Sequence, residues 1–338
     1  MCGGKRLDNR DQIKDPLFDL SHCMLCPRNC GVDRTAGRSG FCGEDATIHA
    51  ARAALLYYEE PVISSPCGSG AVFFTGCNMA CIFCQNRVIS EGERGAENGL
   101  PVQASDLSDI FFSLQDQGAA NINLVTGSHF VPQIADALML AKNRGLSIPV
   151  VWNSSAYEKV ETLRLLDGLV DIYLPDFKFW GRDLAMRYAK APDYREVAQK
   201  AITEMVRQCP EPLFSDGSHA LDEDDDKDDP LMVRGVIVRH LCMPGQAEDS
   251  KRCIRWLYET FGDQIFLSIM NQYTPMPDVM DGPYEELKRT LTDQEYEDIL
   301  DYAIGLGLSN GFLQEGGTVS KSFIPAFDGT GIRKEKKS

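Results

Sequence analysis

The sequence is short of positive charge, lacks long apolar runs, and has none of the usual glycine-rich phosphate loops. Lysine and arginine number 34 against 50 acidic residues, for a net charge of −16. Phosphate contacts need a basic footprint, so this balance argues against nucleic-acid binding as the main activity. No apolar run is long enough to span a bilayer, and the opening MCGGKRLDNRDQIKD is too polar for the core of a signal peptide. The expectation is a cytoplasmic, soluble protein with no membrane partner. Neither GxGxxG nor a P-loop occurs, which leaves a dehydrogenase-type or kinase-type nucleotide fold without support. Part of the acidity is local: the run from Asp222 to Asp229 holds seven acids and one lysine, and it reads as a solvated insertion between folded elements.

Cysteine, by contrast, is plentiful. The 338 residues contain 12, and eight of them lie between Cys23 and Cys84. In a reducing compartment, clustered cysteines serve more often as metal ligands or catalytic groups than as disulfides.

After residue 70 the chain alternates between apolar strand and amphipathic helix. AVFFTG (71–76), INLVTG (122–127), IPVVW (148–152), LVDIYLPDF (169–177), VRGVIVRHL (233–241) and QIFLSIM (264–270) read as strands. Helices are expected at 105–117, with Ser105 as N-cap, and at 132–145, near 158–166, at 181–190, 193–208 and 249–260, and from Thr292 to Leu306. The strands are nearly continuous apolar runs, as in a parallel sheet buried on both faces. Right-handed crossovers wind six such units into a partial barrel or an open doubly wound sheet. In both, ligands collect at the carboxyl ends of the strands, where TGCNMACIFC, TGSH, NSSAY, PDFK and RHLCMPG fall.

CNMACIFC places Cys77, Cys81 and Cys84 in a C-x3-C-x2-C pattern directly after the first of these strands. A structural zinc site wants four protein ligands, and a catalytic one usually includes histidine or carboxylate. Three thiolates from one loop suit three corners of a 4Fe–4S cube, leaving one iron open. The segment resembles the signature of the radical S-adenosylmethionine (SAM) enzymes, with Phe83 in the aromatic position before the last cysteine. That resemblance implies a partial (β/α)6 barrel, a cluster on Cys77, Cys81 and Cys84, and SAM chelated to the open iron. It also implies reductive cleavage of SAM, followed by abstraction of a hydrogen atom from a substrate.

The stretches EEPVISSPCGSGAVFFTGCNMACIFCQN, NINLVTGSHFVPQI, DIYLPDFKF and GVIVRHLCMPG further resemble a branch of uncharacterised homologues of pyruvate formate-lyase activating enzyme, over roughly residues 20–315. This implies an electron donor such as flavodoxin or ferredoxin, and a glycyl-radical enzyme as partner. It also implies SAM-binding roles for Phe83, Gly127, Asn153, Asp176, Lys178 and Arg239. Arg239 would meet the SAM carboxylate, a task for which a guanidinium fork is well suited. One departure stands out: where activating enzymes carry Gly-Gly-Glu, this chain has Gly127, Ser128 and His129. The acid that would meet the SAM ammonium is gone. Either Ser128 and His129 accept from it, or another acid does; His129 is alternatively a proton or substrate handle.

A second set, Cys23, Cys26, Cys30 and Cys42, lies among glycines. It suits zinc or a second iron–sulfur cluster, with free or redox thiols as the alternative. The expected organisation is a cysteine-rich extension over 1–66, a core over 67–315 and a tail over 316–338. Competing functions are radical modification of a small molecule or of another protein residue, and a non-catalytic zinc-binding interaction module.

Overall fold

The computed structural model describes residues 18–64, 66–91, 97–219, 221, 230–313 and 325–332. The acidic run 222–229 and Cys2 lie outside these residues. The strands are β1 (Ile48–Leu56), β2 (Ser69–Phe74), β3 (Leu100–Val102), β4 (Ile122–Val125), β5 (Val150–Ser154), β6 (Ile172–Pro175), β7 (Leu213–Phe214), β8 (Met232–Leu241), β9 (Phe266–Met270) and β10 (Gly311–Leu313). They form one mixed sheet in the order β10-β9-β8-β6-β5-β4-β2-β1-β3, with β7 paired to β8.

From β2 to β10 every neighbouring pair is parallel. These strands also follow one another in chain order across the sheet. This monotonic order decides between the two expected architectures. Right-handed crossovers that always step the same way place every helix on one face, whereas a doubly wound sheet reverses direction and covers both. The sheet is therefore of the singly wound, partial-barrel kind. Among the described residues β3 and β10 do not pair with each other, so it is open.

The crossover helices carry their apolar stripes to that outer face. They are α2 (Ala104–Asp116), α3 (Val131–Asn143), α4 (Arg182–Ala189), α5 (Tyr194–Gln208), α6 (Ala247–Phe261) and α7 (Asp293–Gly305), α1 being the short turn Pro61–Ser64. Leu107, Phe111 and Leu114 of α2 and Ile134 and Leu138 of α3 pack with Leu124 and Trp152 in the main core. The N-cap of α2 is Gln103 rather than Ser105. Gln103 and Asp106 close a reciprocal capping box, so the helix starts a turn-fraction earlier than the serine suggests. The helix expected over 158–166 shortens to Val160–Leu163 plus a 3-10 turn.

The inner face holds a smaller apolar core. Val62 and Ile63 of α1 plug it against Val151, Ile172, Leu174, Ile237 and Phe266. The sheet also begins before the expected domain boundary. β1 lies within 1–66 yet pairs antiparallel with β2, and around a register shift it buries Ile48, Ala50 and Ala53 in the main core and Ala51 on the other side. At the other end, residues 325–332 pack on β1: the Thr330 carbonyl accepts from Ala53 N at 2.8 Å, and Phe327 meets Phe73 edge-on at 5.4 Å.

Candidate active site

The loop after β2 carries the three cysteines, and its shape is held from several sides. Gly76, at φ +73°, lets the chain turn off the strand beneath the Cys42 carbonyl, where a Cβ would come within 2.6 Å of that oxygen. The Cys77 amide donates to the same carbonyl at 3.2 Å. The Met79 amide donates to the Cys77 sulfur at 3.3 Å, and Cys84 Sγ lies 3.3 Å from the Ser90 hydroxyl. Arg28 clamps the loop to the end of α4. Its guanidinium donates to the carbonyls of Asn78 at 2.8 Å, Ala189 at 3.2 Å and Lys190. Phe83 is buried between Phe179 and Tyr273, with ring centroids 6.1 and 6.3 Å apart.

All three thiols are free, and Cys77 and Cys81 lie within electrostatic reach of each other and of Cys84. Burial pushes the Cys77 thiol up, and the Cys81 thiol to about 12, while Lys178 favours the thiolate of each. A positively charged group must arrive before these sulfurs ionise, as coordination by a metal provides. Among the described residues no three His, Cys, Asp or Glu side chains converge where a single ion could sit. A structural zinc needs such a point, with sulfurs about 2.3 Å away. Cysteines on an iron–sulfur cube each bind a different iron and need not converge. The donor set fits the cluster better than the ion.

Strand register places the charged residues below this loop. Asp176 follows β6 and bridges to Arg239 of β8, which pairs with Ser268 of β9. Arg239 spreads its fork over three partners: Nε to Asp176 at 2.8 Å, Nη1 to Glu59 at 3.2 Å, and Nη2 to the Asn153 side chain at 2.7 Å. Lys178 Nζ donates to the other Asp176 oxygen at 2.7 Å. Burial works to raise the Asp176 pKa, but Arg239 and Lys178 hold it below the ordinary value. Asp176 in turn raises Lys178 and Arg239 against the desolvation that would lower them. Four of the sequence candidates, Asn153, Asp176, Lys178 and Arg239, are thus one network beneath the cysteine loop.

Sequence reasoning missed two members of this network. Glu59 and Glu60 sit between β1 and the plug α1, so the antiparallel strand delivers them to the inner face. Beyond its contact with Arg239, Glu59 Oε1 lies 3.5 Å from Asn153 Nδ2, and Glu60 Oε1 accepts from the Ser268 hydroxyl at 2.9 Å. Burial raises both carboxyls, Glu60 to about 7. In sequence they look like an exposed acidic pair before a proline; only their position ahead of a fully buried Val-Ile hinted otherwise.

Ser128 and His129 are drawn away from the network. Ser128 donates to Glu158 at 2.8 Å, and Glu158 also accepts from Trp152 Nε1 at 2.9 Å and the Ser154 hydroxyl at 2.5 Å, all buried. His129 is 2% exposed, meets the Phe130 ring at 4.3 Å with the planes tilted by 46°, and sets Nε2 2.7 Å from the Thr75 carbonyl. Burial, with Arg34 nearby, lowers its pKa to about 4, so the ring is neutral. Gly127 gives its space to packing, since a Cβ there would meet Ile134 and Trp152 within 3 Å. His240 is buried on the outer face with Nδ1 2.7 Å from the Phe177 carbonyl.

In the second cysteine set Cys26 lies within electrostatic reach of Cys23 and Cys30, and Cys42 of Cys26 and Cys23, but among the described residues no three of these thiols converge on one ion position. All four thiols are free, and burial pushes Cys42 to about 12. Cys67, close to Cys77 in sequence, belongs elsewhere. It precedes β2 while Cys77 follows it, and six strand residues at ~3.3 Å each put them about 20 Å apart.

No family model matches the sequence. The chain is 29% identical over 300 residues, 88% of its own length and 78% of the other, to an uncharacterized protein of Methanocaldococcus jannaschii. It is similar in structure to SuiB of Streptococcus suis bound to S-adenosylmethionine, with a TM-score of 0.46 and 14% identity, over 71% of this chain and 48% of that one. It is also similar to methylornithine synthase, with a TM-score of 0.45 and 11% identity, over 72% of this chain and 71% of that one. A domain of pyruvate-formate lyase-activating enzyme from Bacteroides vulgatus aligns with a TM-score of 0.37 and 13% identity, over 55% of this chain and 92% of that one. The chain spans about half the length of SuiB. At these identities the likenesses are of overall course, and they bring no activity with them.

Proposed function

We propose that this chain is a radical SAM enzyme whose Cys77, Cys81 and Cys84 hold a 4Fe–4S cluster. One observation carries the reading: three free thiols in a C-x3-C-x2-C loop stand directly over a buried Lys178–Asp176–Arg239–Asn153 network at the carboxyl ends of parallel strands. SAM bound there with the cluster supplies a hydrogen-abstracting radical after one-electron reduction. The chain's own residues do the holding. Arg239 presents a charged fork suited to a carboxylate, Asp176 fixes Arg239 and Lys178, and Lys178 stabilises the sulfurs as thiolates. Phe83, packed on Phe179 and Tyr273, fixes the backbone between Cys81 and Cys84.

Anaerobic reconstitution tests this. About four irons per chain bound through the three cysteines, and 5′-deoxyadenosine formed from SAM with dithionite, are expected. A colourless, zinc-loaded protein that never cleaves SAM means the non-catalytic module instead. By resemblance, the leading substrate is a glycine of a glycyl-radical enzyme, with flavodoxin or ferredoxin as electron donor. Electron paramagnetic resonance of candidate partners after incubation reads that step. The buried acids Glu59 and Glu60 beside the network favour a second reading, radical chemistry on a small molecule or another protein residue. For Cys23, Cys26, Cys30 and Cys42 the proposal is a second metal or cluster, measured as metal retained when Cys81 is replaced.

A further inference from the structure

Beneath the cysteine loop carboxyl groups outnumber cations, and burial keeps a proton on Glu60 up to about pH 7 unless a cation joins it. Three carboxyl groups, Glu59, Glu60 and Asp176, share this part of the inner face with two cations, Arg239 and Lys178. Asp176 is held by both cations, and Glu59 by Arg239 at 3.2 Å. Among the described residues Glu60 has no cation within ion-pair distance and is met by the Ser268 hydroxyl at 2.9 Å. A second observation concerns an amide beside the acids. Asn123 of β4 is fully buried beside Glu59, whose charged form its amide favours. Its nitrogen is turned to Glu59, and among the described residues its oxygen completes no hydrogen bond. An orphaned buried amide is costly, and a ligand that supplies the missing partner removes the cost.

We infer that Glu60, Glu59 and Asn123 form a receptor for the ammonium group of a ligand lying between the cysteine loop and the plug. An ammonium offers three donors to separate acceptors, and here two carboxylates and an amide oxygen share one small volume. A metal ion is the poorer occupant, since no three acidic or imidazole groups among the described residues converge on one point. Arg239 reaches Glu59 at 3.2 Å, and Val62 and Ile63, which follow the two acids in the chain, pack in the apolar inner core. In one respect this rests on the proposed function: SAM carries such an ammonium itself, and so does an amine substrate. The chemistry is shared, and the measurement separates the sources.

The test uses the full chain with its cluster reconstituted, the variants Glu60→Gln and Asn123→Leu, and anaerobic titration calorimetry. Three probes are titrated: SAM, its analogue lacking the α-amino group, and putrescine added to SAM-saturated protein. If the receptor takes the SAM ammonium, both variants bind SAM at least tenfold more weakly and bind the deamino analogue as the wild type does. If it takes a substrate amine, SAM affinity holds and putrescine binds the wild type but neither variant. Unchanged affinity of both variants for SAM and putrescine overturns the inference. Asn123→Leu also raises the unfolding midpoint of the ligand-free protein while weakening binding, a combination that a purely structural asparagine does not give. Should SAM fail to bind the wild type at all, the proposed function falls, and the putrescine titration still reads the receptor.

Discussion

Glu60→Gln is expected to alter how stability depends on pH in a direction fixed by the structure. Burial raises the Glu60 pKa from 4.5 to about 7. Between those values the folded protein keeps a proton that the unfolded chain has released. Stability then falls as pH rises, by ~1.36 kcal/mol per unit for one fully retained proton. Over the window of about 2.5 units the ceiling is about 3 kcal/mol, and the partial exposure of Glu60 brings it lower. The groups facing Glu60, namely Glu59, Asp176, Arg239 and Ser268, remain in the variant. The difference between wild type and Glu60→Gln therefore isolates this proton. The assay is denaturant unfolding of both proteins under reducing conditions from pH 4.5 to 8. Wild type loses stability relative to the variant as pH climbs to 7, and the two curves run parallel above it. Parallel curves throughout would show that Glu60 is solvated and that the inner face is not the low-dielectric site described.

Other perturbations follow from the same geometry. Cys81→Ala should abolish SAM cleavage while metal bound at Cys23–Cys42 stays, read by iron and zinc analysis. Gly76→Ala forces a Cβ within 2.6 Å of the Cys42 carbonyl at φ +73°, and is expected to cost about 1–3 kcal/mol with loss of cluster retention, measured by denaturation and visible absorbance. Arg239→Leu leaves Asp176 and Glu59 buried with Lys178 as their remaining nearby cation, and a loss of ~3–5 kcal/mol is expected by the same denaturation. His129 is neutral above about pH 5, so its ring resonances should not titrate near 6.5; a normal titration by NMR contradicts its burial.

Much of this molecule is legible in one dimension, because some signals are local. Apolar strands followed by amphipathic helices announce a parallel sheet, since crossover helices bury one face of each strand and the inner core buries the other. Asp176, two residues from Lys178, and Arg239 at a strand end could be placed from alternation alone. The cysteine spacing likewise needs no fold to be read, because three soft ligands within eight residues share one loop wherever that loop goes.

What the tertiary structure alone decided concerns pairs distant in sequence. The alternation of strands and helices fits a barrel-like and a doubly wound sheet equally well; only the monotonic strand order, which is a set of long-range pairings, separates them. Ser128 and His129 stand at the carboxyl end of a strand in sequence, yet Glu158 and the Thr75 carbonyl claim them on the way to a packed interior. The acids of the inner face arrive from the opposite direction. Glu59 and Glu60 precede the cysteine loop in the link after an antiparallel strand, and nothing near Glu59 in the chain marks it as a partner of Arg239, 180 residues away. Local chemistry wrote the cluster loop into the sequence. Long-range packing, which no short window can encode, chose the groups beneath it.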